Sequence, residues 1–129
     1  MNQIVDIREG ELPLTHTFSD GIYAREIFMP KEMFVIGHIH NTTHLNILSK
    51  GKCIVNMEGK TYELTAPVTF ESHSGCRKVL YIIEDCFWTT IHSTKETNID
   101  ILENTLVDRN NLDTIEIENQ VKELRCLLQ

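Results

Sequence analysis

The chain has 129 residues, with 12 Lys and Arg against 19 Asp and Glu and a formal net charge of −7. That length fits one domain able to bury its own core, and that charge excludes a general nucleic-acid binder, which needs clustered Lys and Arg against phosphate. Cys53, Cys76, Cys86 and Cys126 show no CxxC spacing, no apolar run is as long as a membrane span, and Met1–Asp6 lacks the regions of a signal peptide, so a zinc knuckle, a thioredoxin-type site and a membrane protein are excluded. The expectation is a soluble, cytoplasmic chain with reduced thiols.

In chain order, residues 1–20 are mixed and polar, broken by Gly10 and Pro13, and predict a short edge strand at most. Ile22 to Ile36 is rich in Ile, Phe, Met, Tyr and Val and is interrupted by Pro30-Lys31-Glu32, which predicts two strands and a turn. The next run, Gly37-His38-Ile39-His40-Asn41-Thr42-Thr43-His44, places three of the six histidines within seven residues. Imidazole is the commonest side-chain metal ligand. In a strand, His38 and His40 would share a face. A reversal at Asn41-Thr42-Thr43 would bring His44 back across from His40, where paired residues have Cβ atoms about 4.5–5.5 Å apart. Three such imidazoles can meet one cation at about 2.0–2.1 Å.

Further along, His44–Leu48 alternates, and Cys53–Met57 and Thr61–Thr65 read as strands joined by a Glu58-Gly59 hairpin turn. Pro67 marks a bend, Val68–Phe70 a short strand, and Ser72–Gly75 a turn. Val79–Ile83 is apolar on both sides, Glu84-Asp85 is read as a turn, and Phe87–His92 as the last strand. Many short strands at turn-marked intervals indicate a sandwich or barrel. Beyond Ser93 the period becomes helical: Ile99, Leu102 and Leu106, then a polar break at Asp108–Asn111. Asp113 and Glu116 then make a capping-box-like start to a helix over about Thr114–Leu128, with an apolar stripe of Ile117, Val121, Leu124 and Leu128. A helix that short needs docking, on its own barrel or on another subunit.

The histidine run resembles the first cupin motif, HxH, three or four residues, Glu, six residues, Gly. Here His38-x-His40, three residues, His44, six residues and Gly51 follow that frame, with His44 where cupins usually have Glu. The second motif, PxGxxHxxxN, is matched more weakly by His73-Ser74-Gly75-Cys76-Arg77-Lys78, with Lys78 in the place of the metal-binding His. Ala66–Phe70, Glu84-Asp85 and Trp88–His92 add a likeness to small cupins of phages and prophages, and the resemblance covers residues 20–107. It implies an all-β fold, a single cupin jelly-roll barrel over residues 1–93 with a C-terminal α-helical extension over 94–129. Cupins commonly pair, so a homo-oligomer with the terminal helix at or near the contact is expected.

His38, His40 and His44 are therefore the candidate ligands of a divalent metal ion, zinc, iron, manganese or nickel. His92 is a fourth candidate, sharing strand parity with Trp88 and Thr90. The bland alternatives are a polar barrel mouth of hydrogen-bonded histidines and a rim position for His92. An ammonium beside a dication is repelled, so Lys78 is expected to aim elsewhere or to meet an anionic ligand. Arg77 is a candidate for holding a carboxylate or phosphate, or for a surface ion pair. Tyr62, Tyr81 and Trp88 are candidates for pocket or core. Glu63, Glu71 and Asp85 have no spacing that singles them out for acid–base work, His73 is expected in solvent, and His16 has no assigned role. Two function classes follow. One is a metal-dependent enzyme or small-molecule binder of unknown substrate. The other is a non-catalytic phage structural or interaction protein that meets virion components in the host cytoplasm or the virion.

Overall fold

The computed structural model describes residues 5–8, 11–108 and 113–128, with residues 5–8 described by their backbone alone. The strands are β1 (Val5–Arg8), β2 (Leu14–Ser19), β3 (Ile22–Met29), β4 (Met33–Ile36), β5 (Ile39–His40), β6 (His44–Met57), β7 (Lys60–Thr65), β8 (Val68–Ser72), β9 (Val79–Ser93) and β10 (Val107–Asp108). The helices are α1 (Ile99–Thr105) and α2 (Thr114–Leu127).

Two long antiparallel strands, β6 and β9, form the spine. β9 pairs with β4 along Val79–Ile82 and with β3 along Cys86–Ser93. β6 pairs with β8 along His44–Leu48 and with β7 along Lys52–Met57. Each long strand thus serves two short partners and must bend between them. The bend is built from register shifts between Leu48 and Cys53, opposite Glu84 and Phe87. Bulges of this kind increase twist and turn a sheet. Gly51 sits in the bend at φ +98°, and a Cβ there would lie 2.2 Å from the Asp85 carbonyl oxygen. The glycine at the end of the first motif is therefore a folding requirement.

Several sequence expectations change here. Glu84-Asp85 is the exposed crest of the bend inside one strand, and His44–Leu48 and Cys53–Met57 are likewise one strand. Residues 14–19 form β2, which pairs with β3 from Leu14↔Ile27 to Ser19↔Ile22, and β1 lies parallel to β4. The Glu58-Gly59 turn is as expected, with positive φ at both residues and Met57↔Lys60 closing the hairpin.

The barrel interior holds Ile27, Met29, Val35, Leu48, Cys53, Val55, Leu80, Ile82, Cys86 and Trp88. A second apolar layer lies between the barrel and α2, with Phe34, Ile36 and Val79 facing Ile117, Val121 and Leu124. This explains why the start of β9 reads as apolar on both sides. Val35 and Leu80 point inward, while Phe34 and Val79 point out beneath the helix. The Asp113 side chain caps α2 by accepting from the Glu116 N–H. Polar ties pin the helix down: Arg77 Nε meets Glu116 Oε1 at 3.0 Å, Asn56 Nδ2 donates to Glu123 Oε2 at 2.7 Å, and Gln120 Nε2 donates to the Asn56 and Arg77 carbonyls. The stripe of α2 is therefore spent on its own barrel, except for the exposed Leu128. No helix among the described residues is long and apolar enough to cross a membrane.

Candidate metal centre

Three strands deliver three histidines to one end of the barrel. His40 ends β5, His44 begins β6, and His92 lies near the end of β9. All three side chains are buried, at 3–4% exposure. One potential ligand atom from each lies within 4.8 Å of the others. The ring centroids are 4.3 Å apart for His40–His44, 5.0 Å for His44–His92 and 5.6 Å for His40–His92. Tetrahedral ligands on zinc sit about 3.3–3.4 Å from one another, so small ring movements close the set on a cation.

The hairpin expected between His40 and His44 is not what brings them together. β5 pairs with β10, placing His40 opposite Val107, and β6 pairs with β8, placing His44 opposite Ser72. The Asn41 N–H donates to the Leu106 carbonyl, and the Gly75 N–H donates to the His40 carbonyl. The loop bearing His40 is thus held by the segment after α1 and by the 72–75 turn. His38 stands outside the three-histidine group. Gly37 and His38 belong to no strand, and the Gly37 N–H donates to the Lys78 carbonyl, so strand parity does not carry His38 alongside His40.

The surroundings bias these rings toward ligation. Burial, reinforced by electrostatic repulsion from the neighbouring His44, Lys78, His92 and Arg25, holds the His40 pKa far below the ordinary imidazole value. His40 is therefore neutral at physiological pH. Its Nδ1 is buried without a hydrogen-bond partner among the described residues, an expense that a bound cation would relieve. His44 Nδ1–H donates to the Thr42 carbonyl at 2.9 Å, which fixes a tautomer with its lone pair on Nε2. His92 Nδ1 lies 3.4 Å from Thr42 Oγ1. Tyr23 stacks on His92 with centroids 6.0 Å apart, and its hydroxyl lies 2.6 Å from His16 Nδ1. His16, which the sequence left without a role, thus braces the ring beneath a candidate ligand. The alternation Tyr23, Arg25, Ile27 is the signal for this inner face, since all three are buried.

Other candidates fall elsewhere. Trp88 and Thr90 are buried on the face that carries His92, and Trp88 Nε1 donates to Asn46 Oδ1, which in turn is tied through Nδ2 to Ser72 Oγ. Arg77 is a buried strut, with Nη1 donating to the Gly37 carbonyl beside its pairing with Glu116. Lys78 lines a small cavity together with His38 and His40. Tyr62, Glu63, Glu71, His73 and Asp85 are exposed, and Tyr81 packs edge-on to Phe34.

No family model matches the chain, and no curated protein matches it in sequence. Solved structures do. A cupin-2 domain protein from Shewanella frigidimarina superposes with a TM-score of 0.52 at 13% identity, over 72% of this chain and 84% of that one. The cupin domain of Schizosaccharomyces pombe Cnp3 gives 0.55 at 16% identity, over 78% and 76%. An RmlC-like cupin from Methanocaldococcus jannaschii, with a double-stranded β-helix fold, gives 0.53 at 10% identity, over 64% and 82%. The paired β6–β9 spine with its four short partner strands is thus the double-stranded β-helix of the cupin fold, here carrying a C-terminal helix packed on its flank.

Proposed function

We propose that this protein is a metal-binding cupin that holds one divalent cation through His40, His44 and His92 and uses it to bind a small molecule at the barrel mouth. The observation that carries the reading is the convergence of three buried imidazoles within 4.8 Å. Neutral nitrogen ligands leave the full charge on the ion. A bound cation would supply Lewis-acid polarisation of a ligand oxygen or activation of water. The chain's own residues orient the rings, through Thr42 and Tyr23, and keep bulk water away from them. Three imidazole donors suit zinc, iron and nickel, and suit manganese, which favours oxygen ligands, least of the four. A phage scaffold protein, the reading suggested by the phage-like sequence resemblance, needs no cation and makes the opposite expectation.

The test is elemental analysis of purified protein and of single alanine variants. About one divalent ion per chain is expected in the wild type and in His38→Ala, and a loss is expected in His40→Ala, His44→Ala and His92→Ala. A wild type that remains metal-free after incubation with each of the four cations would remove the assignment. Loss in His38→Ala with retention in His92→Ala would restore the ligand set expected from the sequence.

A further inference from the structure

The bend of the spine brings together two cysteines that the histidine site does not use. Between Lys50↔Phe87 and Lys52↔Glu84 the register leaves Gly51 alone opposite Asp85 and Cys86. A Cβ on Gly51 would lie 2.8 Å from Cys86 Sγ, so the missing side chain makes room for that sulfur. Cys86 Sγ lies 3.6 Å from the carbonyl oxygen of Lys52 and 3.1 Å from that of Glu84. Cys53 follows Lys52 in the chain, and its thiol is hydrogen-bonded to the Cys86 sulfur. Both thiols are fully buried in the barrel core, yet the neighbouring Glu84 and Asp85 are exposed.

A single buried cysteine packs as a small apolar residue, but two sulfurs in contact can share a bond. We propose that Cys53 and Cys86 form a reversible disulfide that latches β6 to β9 at the bend, with a peroxide as the oxidant. Two thiolates on a soft monovalent ion would instead leave a net charge inside an apolar cluster, which is expensive, whereas a disulfide is neutral. Cys86 attacks first, because the Cys53 thiol donates to its sulfur and favours its thiolate. An S–O bond forms to one peroxide oxygen, the O–O bond breaks, and hydroxide leaves as water with the Cys86 proton. The Cys53 sulfur then attacks the Cys86 sulfenic acid. The S–S bond forms, the S–O bond breaks, and the second hydroxide leaves as water with the Cys53 proton. Each sulfur gives up one electron, and one peroxide is reduced to two waters. The latch does not rest on the metal reading, since neither cysteine belongs to the histidine group.

The full chain is treated with hydrogen peroxide in native buffer containing EDTA, its remaining thiols are alkylated, and it is read by intact mass and peptide mapping. The folded protein is expected to lose two hydrogens, to yield the Cys53 and Cys86 peptides as one linked species, and to return to the thiols with dithiothreitol. The link should persist in Cys126→Ser, which removes the exposed thiol, and vanish in Cys86→Ala. The urea midpoint of the wild type should rise on oxidation and fall back on reduction, because the link constrains the unfolded chain. Oxidation should not raise the midpoint of Cys86→Ala. Thiols that stay unlinked in the folded chain and join only in urea would overturn the latch. So would Cys53 linked to Cys76 or Cys126, Cys86 carried to a sulfinic acid without a link, or a midpoint that falls on oxidation. Should Cys86→Ala not fold, the peptide map and the midpoint of the wild type decide alone.

Discussion

His40 shows how one side chain couples site and stability. Its folded-state pKa lies far below the ordinary value of 6.5, chiefly through burial. In the unfolded chain the same imidazole takes up a proton below about 6.5. The unfolded state then binds a proton that the folded state refuses, so acid favours unfolding. Stability of the metal-free protein should be undiminished above about pH 6.5 and should fall by about 1.4 kcal/mol per pH unit below it from this residue alone. Urea unfolding of EDTA-treated protein at pH 7.5, 6 and 5 measures the slope. His40→Gln, which cannot titrate, should flatten it by about one proton's worth. Identical slopes in the two proteins would mean that His40 becomes protonated in the fold. Gly51 is the other residue whose identity is forced. An alanine there must adopt φ +98° and place its Cβ against the Asp85 carbonyl and Cys86 Sγ. Left-handed backbone alone costs a non-glycine residue about 1–2 kcal/mol, and the clash adds to it, so Gly51→Ala should be destabilised by more than about 2 kcal/mol in the same assay. A change below about 0.5 kcal/mol would mean that the bend relaxes freely. Both residues were visible in the sequence, as members of the HxH-to-Gly frame. His92 was visible by its parity with Trp88 and Thr90. That His38 stands outside the three-histidine group was not, because it depends on residues 37–38 lying outside any strand.

At the scale of elements, α2 is the clearest case of a sequence pattern with two structural solutions. A stripe of Ile117, Val121 and Leu124 requires a partner surface but does not say whose. The partner is the outer face of β4 and of the start of β9, where Phe34, Ile36 and Val79 wait. Arg125 lies over the Phe34 ring at 5.0 Å, adding a cation–π contact. Leu124 is fully buried there, so Leu124→Ala should cost about 2–5 kcal/mol, read by denaturant unfolding. The oligomer expected from the stripe alone would instead predict a change of mass, and light scattering on the same variant separates the two. A stable, folded Leu124→Ala of altered mass would place the helix at a contact between chains. The strands around the bend were legible as strands and illegible as continuous ones. Glu84 and Asp85 are exposed polar residues between apolar runs, the composition of a turn, and only the pairing of β6 with β9 across the gap reveals a bulge. The two-residue pairing of β5 with β10 had no local signal, since each partner is too short for alternation to show.

At the scale of the whole molecule, the candidate site joins parts of the chain that are distant in sequence. His40 stands on a loop braced by the segment after α1, His44 opens one spine strand, and His92 closes the other. A cation held by all three cross-links the barrel at one end, and it binds the folded state alone because the unfolded chain does not gather the rings. Linkage then sets the size of the effect. At a free metal concentration of about 100 times the Kd, the folded state gains about 2.7 kcal/mol. For a domain between the 100- and 150-residue classes, that corresponds to a rise in melting temperature of roughly 10 °C. The rise should grow with the logarithm of metal concentration and reverse with EDTA. It should be absent in His40→Ala at every concentration. An equal rise in wild type and His40→Ala would locate the bound metal elsewhere on this acidic surface, and a wild-type melting temperature unmoved by saturating metal and by chelator would leave the three histidines as a hydrogen-bonded polar mouth.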